Sequence, residues 1–326
     1  MKKIVIWEAL LLVVLLIVAA ALAGRKQPAK PQTPTTETTL ATTEPTTAPT
    51  EPPITWKTYP ATRKLTAKQY FVYDLTEKDY QTISGAGEER IYPASVTKLF
   101  TAYVALQYLE PDRVITAGDA VLKLVVPGSS VAEIQAGDAL TVEQLIEAML
   151  LPSGNDAAYL LAVEAGRIIE DNTTLHASQA AQRFVERMNE VAAELGMTGT
   201  HFVNPDGIHK PEHYTTFDDL VTMAELALKE PAITRYSGIA TDTVTLGSRP
   251  ATQWKNTNEL VHPESEYYCP HAIGLKTGQT PSAGSCLLSA LRYEDTTYII
   301  GVFGCPEVED RFDDTLQLFN EAIGAQ

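Results

Sequence analysis

Ser95 and Lys98 are the first residues in this sequence whose types and spacing could do chemistry. Three positions apart on a helix, their side chains lie on one face, within hydrogen-bonding reach of each other. A serine hydroxyl becomes a nucleophile when a neighbouring base takes its proton, and a lysine is such a base only while it is uncharged. Burial and nearby cations favour the uncharged amine. Taken alone, the pattern is more often a helix-capping serine followed by a surface lysine.

Two more short motifs carry polar groups that could hold a substrate. Ser153 and Asn155 flank a glycine in a predicted turn between two helices, where both could instead cap helix ends. Lys276, Thr277 and Gly278 end a predicted strand. The lysine could hold a neighbouring lysine neutral and attract an anion, the threonine offers a hydroxyl donor, and the glycine leaves room for a substrate backbone. The alternative is an edge-strand lysine followed by a turn.

The order and spacing of the three motifs say more than any one of them. S-x-x-K, S-x-N and K-T-G follow one another at intervals of about sixty and about a hundred and twenty residues, as in penicillin-binding proteins and class A β-lactamases. The chain resembles the penicillin-recognising serine hydrolases, and more closely the low-molecular-weight D-alanyl-D-alanine carboxypeptidases. The resemblance extends over residues 65 to 325. The flanking text is similar at 93–98 (PASVTK), 151–158 (LPSGNDAA), 201–207 (HFVNPDG), 213–216 (HYTT) and 274–278 (GLKTG).

This resemblance implies a serine-type D-Ala-D-Ala carboxypeptidase that removes the terminal D-Ala from peptidoglycan stem peptides through an acyl-enzyme, with no cofactor and no metal. Ser95 would attack the carbonyl of the penultimate D-Ala, and Lys98 would take its proton. Ser153 would relay a proton toward the leaving group, kept in place by Asn155. Lys276 would help to keep Lys98 neutral and would interact with the substrate.

The resemblance also implies how the substrate is held. Thr277 would contact the terminal carboxylate, and the backbone N–H groups of Ser95 and Gln279 would form an oxyanion hole. Arg311 falls where such enzymes place an arginine that aids carboxylate recognition, in the loop before the last helix; the alternative is a surface arginine at a helix N-terminus. The predicted substrate-binding residues are Asn155, Lys276, Thr277, Gly278, Gln279 and Arg311.

The elements that must position these residues describe an α+β protein. Strands are predicted at 70–75, 243–246, 272–277, 285–290 and 298–303, and helices at 95–109, from a capping box at 141–144, at 156–169 and 184–195, from 216, and at 312–323. This order favours a mostly antiparallel sheet flanked by helices, with an all-helical subdomain inserted at about 112–235. The resemblance implies a β-lactamase/transpeptidase-like fold.

Charge, cysteine and histidine content exclude several other classes of protein. With 41 acidic against 25 basic residues the net charge is −16, so neither nucleic acid nor an anionic lipid surface is an expected partner. Three cysteines exclude a disulfide scaffold and a four-thiolate zinc site, although a single disulfide or a reactive thiol stays open. His209 and His213 are four apart, but Pro211 prevents them from sharing a helical face, so no metal site is predicted.

The first 55 residues differ in composition from the rest. Two lysines precede an apolar run over 4–24, so residues 1–26 are predicted to be an export signal that stays as a membrane anchor; cleavage and secretion to the cell wall is the alternative. Residues 27–55 are mostly Thr, Pro, Glu, Gln and Ala and are predicted to be a disordered stalk. Residues 56–326 are the predicted peptidase domain, outside the cytoplasm. It ends without the further β-rich domain and amphipathic helix of many relatives, so the N-terminal segment is the expected membrane contact.

Other activities of the same fold compete with a carboxypeptidase. A class A β-lactamase uses a glutamate-positioned water between S-x-N and K-T-G, but residues 201–219 contain Glu212 without the E-x-x-L-N pattern. A D,D-endopeptidase or transpeptidase would act on crosslinks, and a non-catalytic penicillin-binding sensor would only hold wall peptides. The expected partners are the peptidoglycan stem peptide and β-lactam antibiotics as covalent inhibitors.

Overall fold

The computed structural model describes residues 63–324, apart from 86 and 248. The segments predicted as a signal or anchor (1–26) and as a stalk (27–55) lie outside the described residues. Within the described part of the chain, no helix has both the length and the apolar character needed to cross a bilayer. The predicted domain boundaries therefore stay predictions.

A five-stranded antiparallel sheet is the central element. The strands in chain order are β1 (Gln69–Asp74), β2 (Asp79–Ile83), β3 (Val114–Thr116), β4 (Ala139–Thr141), β5 (Thr241–Val244), β6 (Thr252–Lys255), β7 (Ala272–Thr280), β8 (Gly284–Tyr293) and β9 (Thr296–Cys305). The main sheet has the order β2-β1-β9-β8-β7, while β3 with β4 and β5 with β6 form separate two-stranded sheets. The strand that contains the K-T-G motif, β7, is thus at one edge of the main sheet, and it continues two residues beyond the motif.

The helices fall mostly between the two groups of sheet strands. They are α1 (Thr97–Ala105), α2 (Asp119–Leu122), α3 (Val142–Leu150), α4 (Asn155–Ile169), α5 (Ala177–Glu194), α6 (Phe217–Lys229), α7 (Pro231–Gly238) and α8 (Asp310–Ala322). Among the described residues, α8 alone follows the last strand. Together with the antiparallel sheet, this arrangement confirms the predicted α+β class.

Apolar side chains leave the sheet on both faces and form two cores, because neighbouring residues of a strand point to opposite faces. Phe71 of β1 joins the larger core, which extends into the helical block around Leu99 and Phe100. Val72, the next residue, joins the smaller core between the sheet and α8, with Phe312 and Leu316. The sheet is therefore covered on both faces, and its edge strand β7 can face the helical block.

Local sequence signals explain where several helices begin and end. Thr141 and Gln144 form the predicted capping box at the start of α3. The Thr216 hydroxyl accepts a hydrogen bond from Asp219 N–H at the start of α6. Gly196 follows α5 with φ of +78°, a left-handed conformation that glycine adopts without strain.

Four sequence predictions need correction. The insertion predicted at about 112–235 is not all-helical, because β3 and β4 form a two-stranded sheet within it. The helix predicted at 95–109 is a 3₁₀ turn at Ala94–Val96 followed by α1, which ends at Ala105, because Gln107 and Tyr108 donate to carbonyls three residues back and tighten the chain into turns. The strand predicted at 243–246 is β5, at 241–244, and it pairs with β6 outside the main sheet. Asn155, predicted in the turn, is already the first residue of α4.

Candidate active site

The backbone around Ser95 is held by two close glycine contacts. Ser95 lies in the 3₁₀ turn that leads into α1, so Lys98 falls in the first turn of that helix. A Cβ on Gly207, whose φ is +83°, would lie 1.9 Å from Ala94 O. A Cβ on Gly278 would lie 2.8 Å from Pro93 O and 3.1 Å from Ser95 N. Both positions therefore require glycine, and the K-T-G strand lies directly against the Ser95 backbone.

Ser95 and Lys98 are in direct contact. Lys98 Nζ donates a hydrogen bond of 2.8 Å to Ser95 Oγ and another of 2.8 Å to Asp206 O. The Lys98 side chain is fully buried. Desolvation on burial lowers the pKa of Lys98 to about 8, against the opposing effect of the Asp206 and Asp156 carboxylates. An amine with this pKa is neutral in part of the population near neutral pH and can accept the serine proton.

Lys276 is a second buried amine beside the first. It is 1% exposed, and its Nζ donates to Thr277 O at 3.2 Å and to the hydroxyls of Thr257 and Thr277 at 3.4 Å each. Desolvation, the Lys98 charge and the Arg311 charge all lower the pKa of Lys276 well below its usual value. A site that gathers three basic side chains, Lys98, Lys276 and Arg311, inside an acidic protein is suited to an anionic ligand.

The S-x-N turn brings two further polar groups to the same place. Ser153 is buried with φ of +64°, a strained conformation for a residue with a side chain. Asn155 begins α4, and its N–H donates to Ser130 O at 2.9 Å. Among the residues that the structure describes, none is a hydrogen-bond partner of the buried Oδ1 of Asn155. An unpaired buried acceptor that faces a cleft is available to a ligand or to water.

A cleft of about 490 Å³ connects these groups. Of the predicted site residues, Lys98 and Lys276 lie beneath it and the others line it. The cleft-lining members are Ser95, Ser153, Asn155, Thr277, Gly278, Gln279 and Arg311. The structure thus brings the three sequence motifs together around one opening.

Arg311 differs in position from the sequence expectation. It is the second residue of α8 rather than part of the preceding loop. Asp310 and Asp313 in the first turn favour an early start of this helix through the helix dipole. The side chain is 6% exposed, so it is not a surface arginine, and its Nη1 donates to Gly278 O at 3.3 Å. Burial lowers the pKa of Arg311 to about 10, so the guanidinium stays charged at neutral pH.

Four residues that build the site were given no role from the sequence. Asp206 supplies the backbone carbonyl that accepts a hydrogen bond from Lys98, and Gly207 packs against Ala94 O. In the sequence both residues were noted only as part of the family-like segment 201–207. The Asp156 carboxylate accepts from the N–H groups of Ala132 and Ile134, and so holds the loop that brings Ser130 to the cleft. Thr257 lines the cleft from the loop after β6, and no motif in the sequence marks it.

His213 has a structural role instead of the metal role considered from its spacing. Its Nδ1 accepts from Val203 N–H at 3.1 Å, so the proton is on Nε2, which lies 2.8 Å from Thr97 Oγ1. Burial lowers the pKa of His213 to about 3, and the ring is neutral. Across residues 63–324, apart from 86 and 248, no group of three potential metal ligands is found.

The three cysteines are buried free thiols. Cys286 and Cys305 lie in β8 and β9, whereas Cys269 lies outside the strands. Burial raises the pKa of Cys269 and Cys286 to about 11 and that of Cys305 to about 12, so all three are protonated and unreactive at neutral pH. The options of a disulfide and of a reactive thiol are both disfavoured.

Comparisons with known proteins agree with this geometry. The family model described as D-alanyl-D-alanine carboxypeptidase matches residues 57–307. A D-alanyl-D-alanine carboxypeptidase of Streptomyces sp. (strain K15) is 35% identical over 72% of this chain and 80% of its own length. The carboxypeptidase DacF of Bacillus subtilis is 30% identical over 68% of this chain, which spans about half (54%) of that relative. The crystal structure of the Streptomyces K15 DD-transpeptidase superposes with a TM-score of 0.72 at 30% identity, over 80% of this chain and 98% of that one.

Proposed function

Because this chain belongs to the D-alanyl-D-alanine carboxypeptidase family, we propose that it removes the terminal D-alanine from peptidoglycan stem peptides and that β-lactams acylate the same serine. One observation carries the proposal: Ser95 Oγ accepts a hydrogen bond of 2.8 Å from a fully buried lysine amine. Activities of this family need a nucleophile beside a neutral base.

Acylation of the enzyme would proceed at Ser95. Neutral Lys98 takes the hydroxyl proton while Oγ attacks the carbonyl of the penultimate D-Ala. The N–H groups of Ser95 and Gln279 stabilise the oxyanion as negative charge develops on the carbonyl oxygen. Ser153 passes a proton to the amine of the departing D-Ala, with Asn155 keeping its hydroxyl in place. Water then hydrolyses the acyl-enzyme and releases the shortened peptide.

The cationic end of the cleft would bind the substrate's terminal carboxylate. Thr277 and Arg311 line the cleft, and Lys276 lies directly beneath Thr277. A bound carboxylate favours the charged form of Lys276, and that charge in turn disfavours a proton on Lys98. Substrate binding at one end of the cleft would thus promote the base form at the other end.

Transfer of the acyl group to another amine is the alternative with specific support, because a solved relative is titled a DD-transpeptidase. The two outcomes differ only in whether water or an amine attacks the acyl-enzyme. Adding glycine or a D-amino acid as acceptor distinguishes them, since a transpeptidase yields an exchanged peptide at the expense of hydrolysis. Rapid turnover of nitrocefin would instead indicate a β-lactamase.

We also infer where the protein works. Its substrate is cell-wall peptide, so the peptidase domain acts outside the cytoplasm. The apolar run over 4–24 and the Thr/Pro-rich stretch that follows are suited to a single N-terminal anchor with a spacer. Membrane fractionation of the expressed full-length chain tests the anchor, and release into the medium would favour cleavage instead.

The activity is tested by incubating the full-length protein with diacetyl-Lys-D-Ala-D-Ala and measuring free D-alanine. We expect release by the wild type and none by Ser95→Ala. Binding of penicillin without Ser95-dependent release of D-alanine would overturn the proposal in favour of a non-catalytic sensor.

A further inference from the structure

Thr257 joins the two parts of the active site without belonging to any recognised motif. It lies in the loop after β6, and its N–H donates at 3.1 Å to Leu151 O, at the end of the helix that leads to the S-x-N turn. Its hydroxyl points the other way, to the K-T-G strand. One residue therefore contacts both segments that flank the nucleophile.

The hydroxyl contacts of Thr257 are short and specific. Thr257 Oγ1 lies 2.6 Å from Thr277 Oγ1, and both hydroxyl oxygens lie 3.4 Å from Lys276 Nζ. Each hydroxyl has a single proton, so one of the two must donate to the other. If Thr257 donates, the Thr277 proton stays free to point into the cleft. If Thr277 donates, its proton is used within the protein.

The Thr257 loop is held in place by its neighbours rather than by the threonine side chain. Buried Asn256 donates to the carbonyls of Ser237 and Ile239, at 3.1 and 2.9 Å. The Asn256 side-chain oxygen also accepts a hydrogen bond from Asn258 N–H. The backbone carbonyl of Asn256 accepts one from His262 Nε2 at 2.7 Å. These hydrogen bonds hold the loop without involving the Thr257 hydroxyl, which instead faces Thr277 at the cleft.

We propose that Thr257 is a positioning residue for carboxylate recognition: it donates to Thr277 Oγ1 and thereby leaves the Thr277 proton for the terminal carboxylate of the substrate. The inference rests on the proposed function, in which Thr277 contacts that carboxylate. It assigns to Thr257 a role in selecting substrates with a free carboxylate, separate from the reaction at Ser95. The Lys276 amine lies 3.4 Å from both hydroxyl oxygens and can donate to either, so it is compatible with this orientation.

The test compares wild type, Thr257→Val and Thr257→Ser in the full-length chain. Valine keeps the shape and removes the hydroxyl, whereas serine keeps the hydroxyl. Acylation rates are measured by mass spectrometry with benzylpenicillin and with its methyl ester, which lacks the carboxylate charge. We expect Thr257→Val to slow acylation by benzylpenicillin about tenfold, because Thr277 Oγ1 loses the donor that orients its own proton toward the carboxylate. The ester rate should stay within about twofold, and Thr257→Ser should restore the rate with benzylpenicillin.

Three results would overturn the inference. An equal loss with both compounds would mean that Thr257 only supports the fold of the site. No loss with either compound would mean that its hydroxyl is dispensable, and failure of folded Thr257→Ser to restore the rate would mean that the hydroxyl is not the group that acts. Failure of the proposed function looks different: the wild type would acylate with penicillin yet release no D-alanine from the tripeptide.

Discussion

Two buried lysines lie beneath the cleft, and they differ in their charged neighbours. Lys98 has the Asp206 and Asp156 carboxylates near enough to oppose the effect of burial on its pKa. Lys276 has the Lys98 and Arg311 cations, which add to that effect. Burial alone therefore does not define the role of a lysine. Nearby carboxylates leave Lys98 able to gain and lose a proton near neutral pH. Within the described part of the chain no carboxylate offsets the charge of Lys276, and an anionic substrate would supply one.

Replacement of Lys98 should have the largest effect on activity. Lys98→Met keeps an apolar side chain of similar length in the buried position and removes the base. General-base catalysis contributes roughly 10²–10⁴-fold, so acylation of Ser95 should fall by about 10³-fold with every substrate. Stopped-flow acylation with benzylpenicillin and its methyl ester measures this. A loss confined to benzylpenicillin would give Lys98 the binding role that we assign to Lys276.

Replacement of Lys276 should distinguish its role in carboxylate binding from the role of Lys98 as the base. Lys276→Met removes the amine beneath Thr277. The variant should bind the free carboxylate of a substrate more weakly and should have a smaller fraction of neutral Lys98. We therefore expect kcat/KM for substrates with a free carboxylate to fall roughly 10²-fold. Lys276→Arg retains the charge and is the matched control, with a smaller loss. If the methyl ester lost as much as benzylpenicillin did, the distinction between the two lysines would not hold.

Arg311→Ala tests the carboxylate end alone. Loss of a charge-assisted hydrogen bond should raise KM about tenfold for peptides that end in a free carboxylate, with kcat changed little. The same variant is assayed on a peptide whose C-terminus is an amide. Equal losses on the two peptides would show that Arg311 supports the cleft through its hydrogen bond to Gly278 O rather than binding substrate.

Asp206→Asn should have the smallest effect on activity, and the direction of the expected shift in the pH profile follows from charge. The Asp206 carboxylate stabilises the Lys98 ammonium and so raises the pKa of Lys98, which is about 8 in the wild type. Acylation requires neutral Lys98, so the rate rises with pH through this pKa. Removing the carboxylate should lower the pKa and move the acid limb of kcat/KM to lower pH, with the plateau preserved. Asp295→Asn, on an exposed turn, controls for net charge; a shift to higher pH in Asp206→Asn would refute the assignment.

The sequence was sufficient for the parts of the molecule that depend on local chemistry. The α+β class and the family resemblance are confirmed, as is the capping box at Thr141. Turn and cap residues form hydrogen bonds with residues only a few positions away, so a short stretch of sequence is enough to predict them.

The rest depends on contacts between distant segments. Thr257 reaches Thr277 across the fold, and the Asp206 carbonyl meets Lys98 more than a hundred positions away in sequence, so no spacing could reveal either. Arg311 was predicted in the loop before the last helix, but it is the second residue of that helix. The exact first residue of a helix depends on capping and on charges in its first turn, which spacing alone does not define.

The central claim is that the Ser95 hydroxyl is made reactive by the uncharged amine of Lys98. Mass spectrometry of the full-length protein after brief exposure to benzylpenicillin, repeated across pH, tests it most directly. We expect one penicilloyl adduct on the peptide containing Ser95. It should form at a rate that rises with a midpoint near pH 8 and should be absent in Ser95→Ala. An adduct on another residue, or a rate that does not change as Lys98 titrates, would contradict it.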